Sequence, residues 1–148
     1  MSKKDIPEKS ILERFPFIHT GRELELMLAK KKPLARFHDV ESCLPNEDIV
    51  PEIQFSPHIK SGVLVRDEFE LISGVSAADG VRHKIINVLF ALPSEAWRMN
   101  AMRMLVTQHN LTGQWNETCE RIEGKLLGYT DEENQAWCKW LRDNRAVF

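Results

Sequence analysis

The sequence has few of the features that mark secreted, membrane or disulfide-bonded proteins. Its three cysteines, Cys43, Cys119 and Cys138, are odd in number and show no C-x-x-C spacing, which favours a reduced, cytoplasmic protein. The N-terminal stretch MSKKDIPEKS lacks the apolar run of a secretory signal. The longest apolar stretch, from Ile85 to Leu92, is too short to span a bilayer. We therefore expect a cytoplasmic protein without a membrane-spanning segment.

The concentrated positive charge that nucleic-acid binding requires is also missing. The net charge is −2. Residues 1–36 carry nine basic and five acidic side chains, residues 37–81 carry two and nine, and residues 82–148 carry nine and eight. The basic run Lys30 to Lys32 lies at the end of a predicted helix, where cations interact favourably with the helix dipole. Nucleic acid is therefore not an expected partner.

The length and the hydrophobic pattern predict one α+β domain. A chain of 148 residues can bury a core without disulfides or metal. We predict a flexible N-terminal tail over residues 1–10 and a single α+β domain over residues 11–148. In this domain a small, mainly antiparallel sheet packs against C-terminal helices, with N-terminal helices at its edge. The predicted strands occupy residues 33–40, 58–72 and 83–92.

Local signals give the elements. The nearly continuous apolar run HKIINVLFAL predicts a central strand covered on both faces. Lys60-Ser61-Gly62 predicts the turn of a hairpin, and the three prolines between residues 41 and 57 predict a loop. A helix is predicted to begin at Pro93-Ser94 and to run to about Gln108, with apolar residues on two sides, as in a buried helix.

The stretch RIEGKLLGYTDEENQAWCKW, residues 121–140, contains a Gly-Lys pair but does not fit a phosphate-binding loop. Such a loop needs a glycine five positions before the Gly-Lys pair and Ser or Thr directly after it, whereas Cys119 and Leu126 occupy these positions. Gly128 suits the left-handed residue that ends a helix, and Thr130 to Glu133 has the spacing of a capping box. The stretch therefore predicts a connection between two helices.

One cluster has residue types suited to catalysis. The segment FHDVESC places His38, Asp39 and Glu41 at a strand end, where His58 or His83 from neighbouring segments would complete a hydrolytic site. The alternative is a strand end whose polar residues make turn hydrogen bonds. No set of three or four metal ligands can be nominated from the spacing, so we predict neither a metal nor a cofactor.

Two groups of residues suit protein binding. The acidic segment over residues 39–52, with Glu47, Asp48 and Glu52, would steer a basic partner towards the protein, unless it is simply a solvated loop. Trp97 and Arg98 are residue types that anchor interfaces. Trp97 also heads an apolar stripe, which favours a place in the core.

Two function classes follow. The first is a non-enzymatic protein-binding module, a regulator, inhibitor or accessory protein, acting on another protein or as a homodimer. The alternative is a small hydrolase-like enzyme that uses His38, Asp39 and Glu41. The enzyme requires these side chains to converge in a pocket, whereas the binding module predicts that they diverge.

Overall fold

The computed structural model describes residues 15–76 and 78–144, so the predicted tail over residues 1–10 lies outside the described residues. The described part has an α+β fold with one antiparallel sheet, as predicted. Its α-helices are α1 (Glu23–Leu28), α2 (Glu52–Lys60), α3 (Trp97–Thr112), α4 (Glu117–Leu127) and α5 (Asp131–Asp143). Its strands are β1 (Leu34–Val40), β2 (Val65–Ile72) and β3 (Lys84–Ala91), and short 3-10 turns cover Glu41–Cys43 and Pro93–Glu95.

Strand β3 lies at the centre of the sheet, between β1 and β2, and pairs antiparallel with both. Ala91 is opposite both Leu34 and Val65, which fixes the register at one end. Residues 86–91 are all buried, so the prediction of a central strand covered on both faces is confirmed.

One face of the sheet packs against the C-terminal helices. Phe69 and Leu89 on this face meet Met102 and Val106 of α3 and Leu126 of α4 in one apolar cluster. Because successive side chains of a strand alternate between faces, the even-numbered residues of β3 point the other way. That opposite face forms a second cluster with Met27 of α1 and Phe55 of α2.

Helix α2 corrects the prediction of a loop and a hairpin strand over residues 52–60. Pro57 is tolerated as the sixth residue of this nine-residue helix, although proline removes one helical hydrogen bond. The carboxylate of Glu47 accepts the N–H groups of Ile53 at 2.9 Å and Gln54 at 3.1 Å, which caps the first turn. Phe55 stacks on Phe90 with 4.0 Å between ring centroids. Tertiary packing therefore outweighs the local proline signal.

The connection between α4 and α5 forms as predicted. Gly128 ends α4 with φ +98°, and the N–H of Tyr129 bonds to the carbonyl of Gly124 at 2.9 Å. Thr130 and Glu133 form the capping box that opens α5. Among the described helices, none is both long and apolar enough to cross a bilayer.

Candidate functional site

Helix α3 carries an exposed apolar stripe. Trp97, Met104 and Leu111, here called the α3 stripe, are 57%, 72% and 76% exposed. They are spaced seven residues apart, which is close to two helical turns, so they lie along one side of the helix. The interpretation of Trp97 as a core residue is therefore wrong. Only the other side of α3, with Met102 and Val106, packs on the sheet.

Arg98 holds the start of α3 against the end of α4. Its Nε donates to the Glu95 carboxylate at 2.8 Å, and its Nη1 donates to the Lys125 carbonyl at 2.9 Å. A cation at these carbonyls is favourable, because the C-terminus of a helix carries partial negative charge. The guanidinium carbon also lies 4.7 Å from the centroid of the Trp97 ring. Arg98 therefore supports Trp97 from within the same chain, and a role for Arg98 in binding stays a prediction.

A cavity of about 250 Å³ lies between the segment that precedes α1, helix α4 and helix α5. Phe17, Tyr129 and Trp137 supply aromatic walls. The rings of Phe17 and Tyr129 are 6.2 Å apart with an interplanar angle of 77°. Trp137 stacks on Trp140 with 5.4 Å between ring centroids. These contacts fix the rings before any ligand arrives.

Carboxylates line the same cavity, from Glu120 and Glu123 of α4 and Glu133 of α5. Glu120 accepts the indole N–H of Trp115 at 2.5 Å and that of Trp137 at 2.8 Å. Glu133 accepts the backbone N–H of Thr130 at 2.8 Å. These donors are neutral, so the hydrogen bonds orient the carboxylates of Glu120 and Glu133 without cancelling their charge.

Glu123 connects the cavity to a polar cluster on the sheet. Its carboxylate lies 3.7 Å from Nη1 of Arg36, and Nε of Arg36 donates to Oδ1 of the fully buried Asn87 at 3.0 Å. Desolvation raises the pKa of Glu123, with the nearby Arg36 opposing the shift and Glu120 adding to it. Glu123 is therefore more readily protonated than an ordinary glutamate.

A second buried polar group, formed by Lys32 and His19, links the segment before α1 to the end of α4. Nζ of Lys32 lies 2.8 Å from Nδ1 of His19 and donates to the Leu127 carbonyl at 2.9 Å. The His19 ring stacks on Tyr129 at 4.0 Å. Desolvation lowers the pKa of Lys32 to about 7. Desolvation, followed by the charges of Lys32 and Arg22, lowers the pKa of His19 to about 4.

Glycine allows α4 and α5 to approach closely beside the cavity. A Cβ atom at Gly124 would overlap the side-chain amide of Asn134. This buried amide donates to the Arg121 carbonyl at 3.1 Å. The contact holds Asn134 and Trp137, which lie on adjacent turns of α5, against α4.

The predicted catalytic residues point in different directions. His38 and Asp39 are adjacent on β1 and therefore face opposite sides of the sheet. Glu41 pairs with Lys84 at 3.3 Å, and Nε2 of His83 lies 2.8 Å from Asp79. Between residues 15 and 144, leaving out 77, no group of three or more His, Cys, Asp or Glu side chains could hold a metal ion.

Part of the His38 side chain is exposed to solvent. The residues around its ring still desolvate it, and this lowers the pKa of His38 to about 4. The Arg36 cation adds to this effect, and Asp39 opposes it. Within the described residues no hydrogen bond joins the side chain of His38 to Asp39, Glu41 or another histidine. The ring is therefore a weak base that no carboxylate orients.

The acidic segment over residues 39–52 is partly used by the fold. Glu47 caps α2, and Glu52 forms an ion pair with Arg66 at 2.6 Å. Asp48 is exposed, and its side chain makes no ion pair with the described residues. Steering of a basic partner stays a prediction, and Asp48 is the acid of this trio that the fold leaves unpaired among the described residues.

The sequence interpretation missed the cavity, although a helical signal for it exists. Glu120, Glu123, Gly124 and Leu127 have the spacing of residues on one face of a helix. For Glu120 and Glu123 the sequence instead favours a solvated helix face, with Arg121 and Lys125 as their partners. In the structure Arg121 pairs with Glu117 at 3.8 Å instead.

Comparison with known proteins adds no relative: no family model matches the chain, and no curated protein and no solved structure matches it.

Proposed function

We propose that this protein is a non-enzymatic protein-binding module and that the α3 stripe joins two copies as a homodimer. The observation that supports this most directly is the exposure of Trp97, Met104 and Leu111 on one side of a single helix. Scattered exposed apolar residues are ordinary on a protein surface, whereas apolar residues that recur along one side of a helix favour an interaction site. The seven-residue spacing is the repeat by which helices pair along a seam.

The stripe is complementary to itself. Met104 is seven residues from both Trp97 and Leu111, so it is the midpoint of the stripe. If two copies of α3 pair antiparallel about a two-fold axis, Met104 packs on Met104 of the second copy. Trp97 then packs on Leu111 of the second copy, and the reverse contact forms at the other end.

The charges of α3 allow this pairing. Residues 97–112 contain no acidic residue, so repulsion between their arginines would oppose a dimer. However, Arg98 is bound to Glu95 and to α4 within its own chain. The guanidinium of Arg103 lies 5.1 Å from the Phe69 ring centroid of the same chain. Intramolecular contacts therefore hold both cations.

A dimer through α3 leaves the acidic segment open to a basic partner. Helix α2, which follows this segment, packs on the face of the sheet opposite α3. We propose that Asp48 steers the partner, and that the module works in the cytoplasm, where Cys43 stays reduced despite its exposure. We do not propose the hydrolase alternative, because no contact brings His38, Asp39 and Glu41 together.

The experiment that tests the dimer is a charge swap at Met104, with mass measured by sedimentation at high micromolar concentration. We expect a dimer for the wild type and monomers for Met104→Glu and Met104→Lys separately, because like charges would meet at the two-fold axis. An equimolar mixture of the two variants should restore a dimer, since opposite charges then meet.

The control is Ile53→Glu, which introduces the same charge at an exposed aliphatic residue of α2 and should remain dimeric. A monomeric wild type would refute the homodimer. Persistent dimers of both single variants would show that α3 is not the interface.

A further inference from the structure

We infer that the cavity between α4, α5 and the segment before α1 binds an organic cation, that is, an ammonium or guanidinium group. This inference is independent of the α3 stripe and goes beyond protein pairing. The cavity combines aromatic side chains with carboxylates, and both attract cations. Aromatic rings attract a cation through their quadrupole, and the carboxylates attract it through their charge.

Two of the three acids of the cavity have no basic partner among the described residues. Among the described residues, no lysine or arginine nitrogen lies within 4.0 Å of the carboxylate of Glu120 or of Glu133. Glu123 is the one acid of the three that has a cationic neighbour in the described part of the chain, Arg36 at 3.7 Å. Lys32 lies beyond the Tyr129 ring, 5.7 Å from its centroid, and its pKa of about 7 means that it carries only part of a charge at neutral pH. A bound cation would therefore meet two acids, Glu120 and Glu133, that no described lysine or arginine pairs with.

The hydrogen bonds prepare the site for a cation. Glu120 receives one indole N–H at each carboxylate oxygen, from Trp115 and Trp137. These bonds fix the orientation of the carboxylate. They also leave further lone pairs on both oxygens for a ligand donor. The carboxylate and the Trp137 ring are thereby fixed together, so binding needs little side-chain ordering.

The other ligand classes fit less well. An anion would face three carboxylates at close range. A metal ion needs three or four converging ligands, and the described residues provide no such group of His, Cys, Asp or Glu. An uncharged apolar ligand would suit the rings, but it would remove water from the acids without giving them a partner, which costs free energy. An organic cation satisfies both the rings and the acids.

The volume limits the size of the ligand. Pockets for drug-sized molecules occupy roughly 300–1,000 Å³, whereas this cavity occupies about 250 Å³. It therefore accommodates a cationic head group or the end of a side chain. A free amine and the methylated lysine or arginine of a protein share this chemistry.

The test uses choline and its uncharged isostere 3,3-dimethyl-1-butanol, which have nearly the same shape. Binding is followed by the NMR signal of the Trp137 indole N–H, which bonds to Glu120. We expect choline to shift this signal saturably and the neutral isostere to bind about tenfold more weakly, because only choline gains the cation–π and Coulomb attraction. Equal binding of the two compounds, or no saturable shift with choline, would overturn the inference.

A matched pair of variants tests the acids. Glu133→Gln removes one charge from the cavity while keeping the capping box, because glutamine fills that position equally well. Glu132→Gln removes the same charge from the adjacent exposed residue, which does not line the cavity. We expect the Kd of choline to rise at least about threefold in Glu133→Gln, because one attractive charge is lost. In Glu132→Gln the Kd should stay within about twofold of the wild-type value. Equal affinities for the two variants would contradict the role of the cavity acids.

Peptides distinguish the two sources of the cation. A peptide with trimethyl-lysine that binds at least tenfold more tightly than choline indicates a protein side chain as the natural ligand. Equal affinities indicate a free amine. Both results are consistent with a cation in the cavity. If the corresponding peptide with uncharged norleucine binds as tightly as the trimethyl-lysine peptide, the inference of a cation site is contradicted.

Discussion

Replacing Lys32 by methionine should change how the stability of the protein depends on pH. Lys32 is only 2% exposed, and burial lowers its pKa from 10.5 to about 7. Between these values the unfolded chain binds a proton at Lys32 that the folded protein does not bind. The free energy of unfolding therefore rises as the pH increases from about 7 towards 10.5, because stability increases with pH wherever the unfolded state binds more protons.

The size of the effect follows from the shift. Lowering the pKa of Lys32 from 10.5 to about 7 reduces the free energy of unfolding by about 5 kcal/mol at pH values well below 7. Between pH 7 and pH 9 the wild type should regain about 2 kcal/mol of this, since each pH unit in this range contributes up to about 1.4 kcal/mol. Lys32→Met has no proton to lose at this position and should not show this gain.

The assay is urea denaturation of both proteins, with reduced thiols, at several pH values from 6 to 9. Above pH 7 the difference between the two unfolding free energies isolates Lys32, because His19, whose pKa the charge of Lys32 lowers, is then largely neutral in both the folded and the unfolded chain. Methionine leaves Nδ1 of His19 and the Leu127 carbonyl without the lysine amine, which changes the absolute stability of the variant for a second reason. The pH dependence of its stability is therefore the quantity that tests the low pKa of Lys32.

Lys31→Met is the control, because Lys31 is the exposed neighbour and loses the same charge. Its unfolding free energy should run parallel to that of the wild type throughout the range. The reasoning is refuted if the difference between wild type and Lys32→Met stays constant within about 0.5 kcal/mol from pH 6 to pH 9, which is the usual error of such comparisons.

Two further predictions concern the same region. Gly128→Ala should destabilise by roughly 2–4 kcal/mol in urea denaturation, because it adds left-handed strain to a Cβ only 2.5 Å from Cδ of Pro33. Gly113→Ala has positive φ but open space, so it should cost only about 1–2 kcal/mol, and equal losses would contradict the packing role. As the pH falls from 6.5 to about 4, wild type should lose up to about 3 kcal/mol relative to His19→Gln, because the unfolded chain protonates His19 first. A constant difference in acid would contradict the low pKa of His19.

Strand β3 and the α4–α5 connection could be predicted because their signals are local. A continuous apolar run needs cover on both faces wherever it lies in the fold, and β3 receives that cover. The Thr130 to Glu133 capping box depends on residues only three positions apart. Gly128 likewise takes its conformation from the end of its own helix.

Helix α2 could not be predicted because its stability comes from distant residues. Pro57 and the prolines before it indicate a loop when they are considered locally. The helix forms because Glu47 caps it from the preceding loop and because Phe55 packs against Phe90 across the sheet. Neither contact has a sequence signature.

The candidate sites were hidden for a related reason. The cavity brings together residues near 17–20, 120–127 and 129–137, and each segment considered alone has ordinary structural residues. Trp97 could be assigned to the core or to an interface, since both interpretations fit a tryptophan on an amphipathic helix. Which side of α3 faces the sheet is decided by Met102 and Val106, and the periodicity of the sequence allowed both sides.

Most ionisable side chains of the described residues make ion pairs or hydrogen bonds within the fold. Few regions of the surface are therefore left as candidate binding sites. Glu47 caps a helix, Arg98 joins α3 to α4, and Glu41 pairs with Lys84. The α3 stripe and the cavity differ from these regions, because the stripe is exposed and because Glu120 and Glu133 have no lysine or arginine partner among the described residues. A fold gains no stability from exposing Met104, and the two indole N–H groups that bond to Glu120 are neutral and leave its charge in place. Both features therefore support the proposals of a dimer through α3 and of a cation in the cavity.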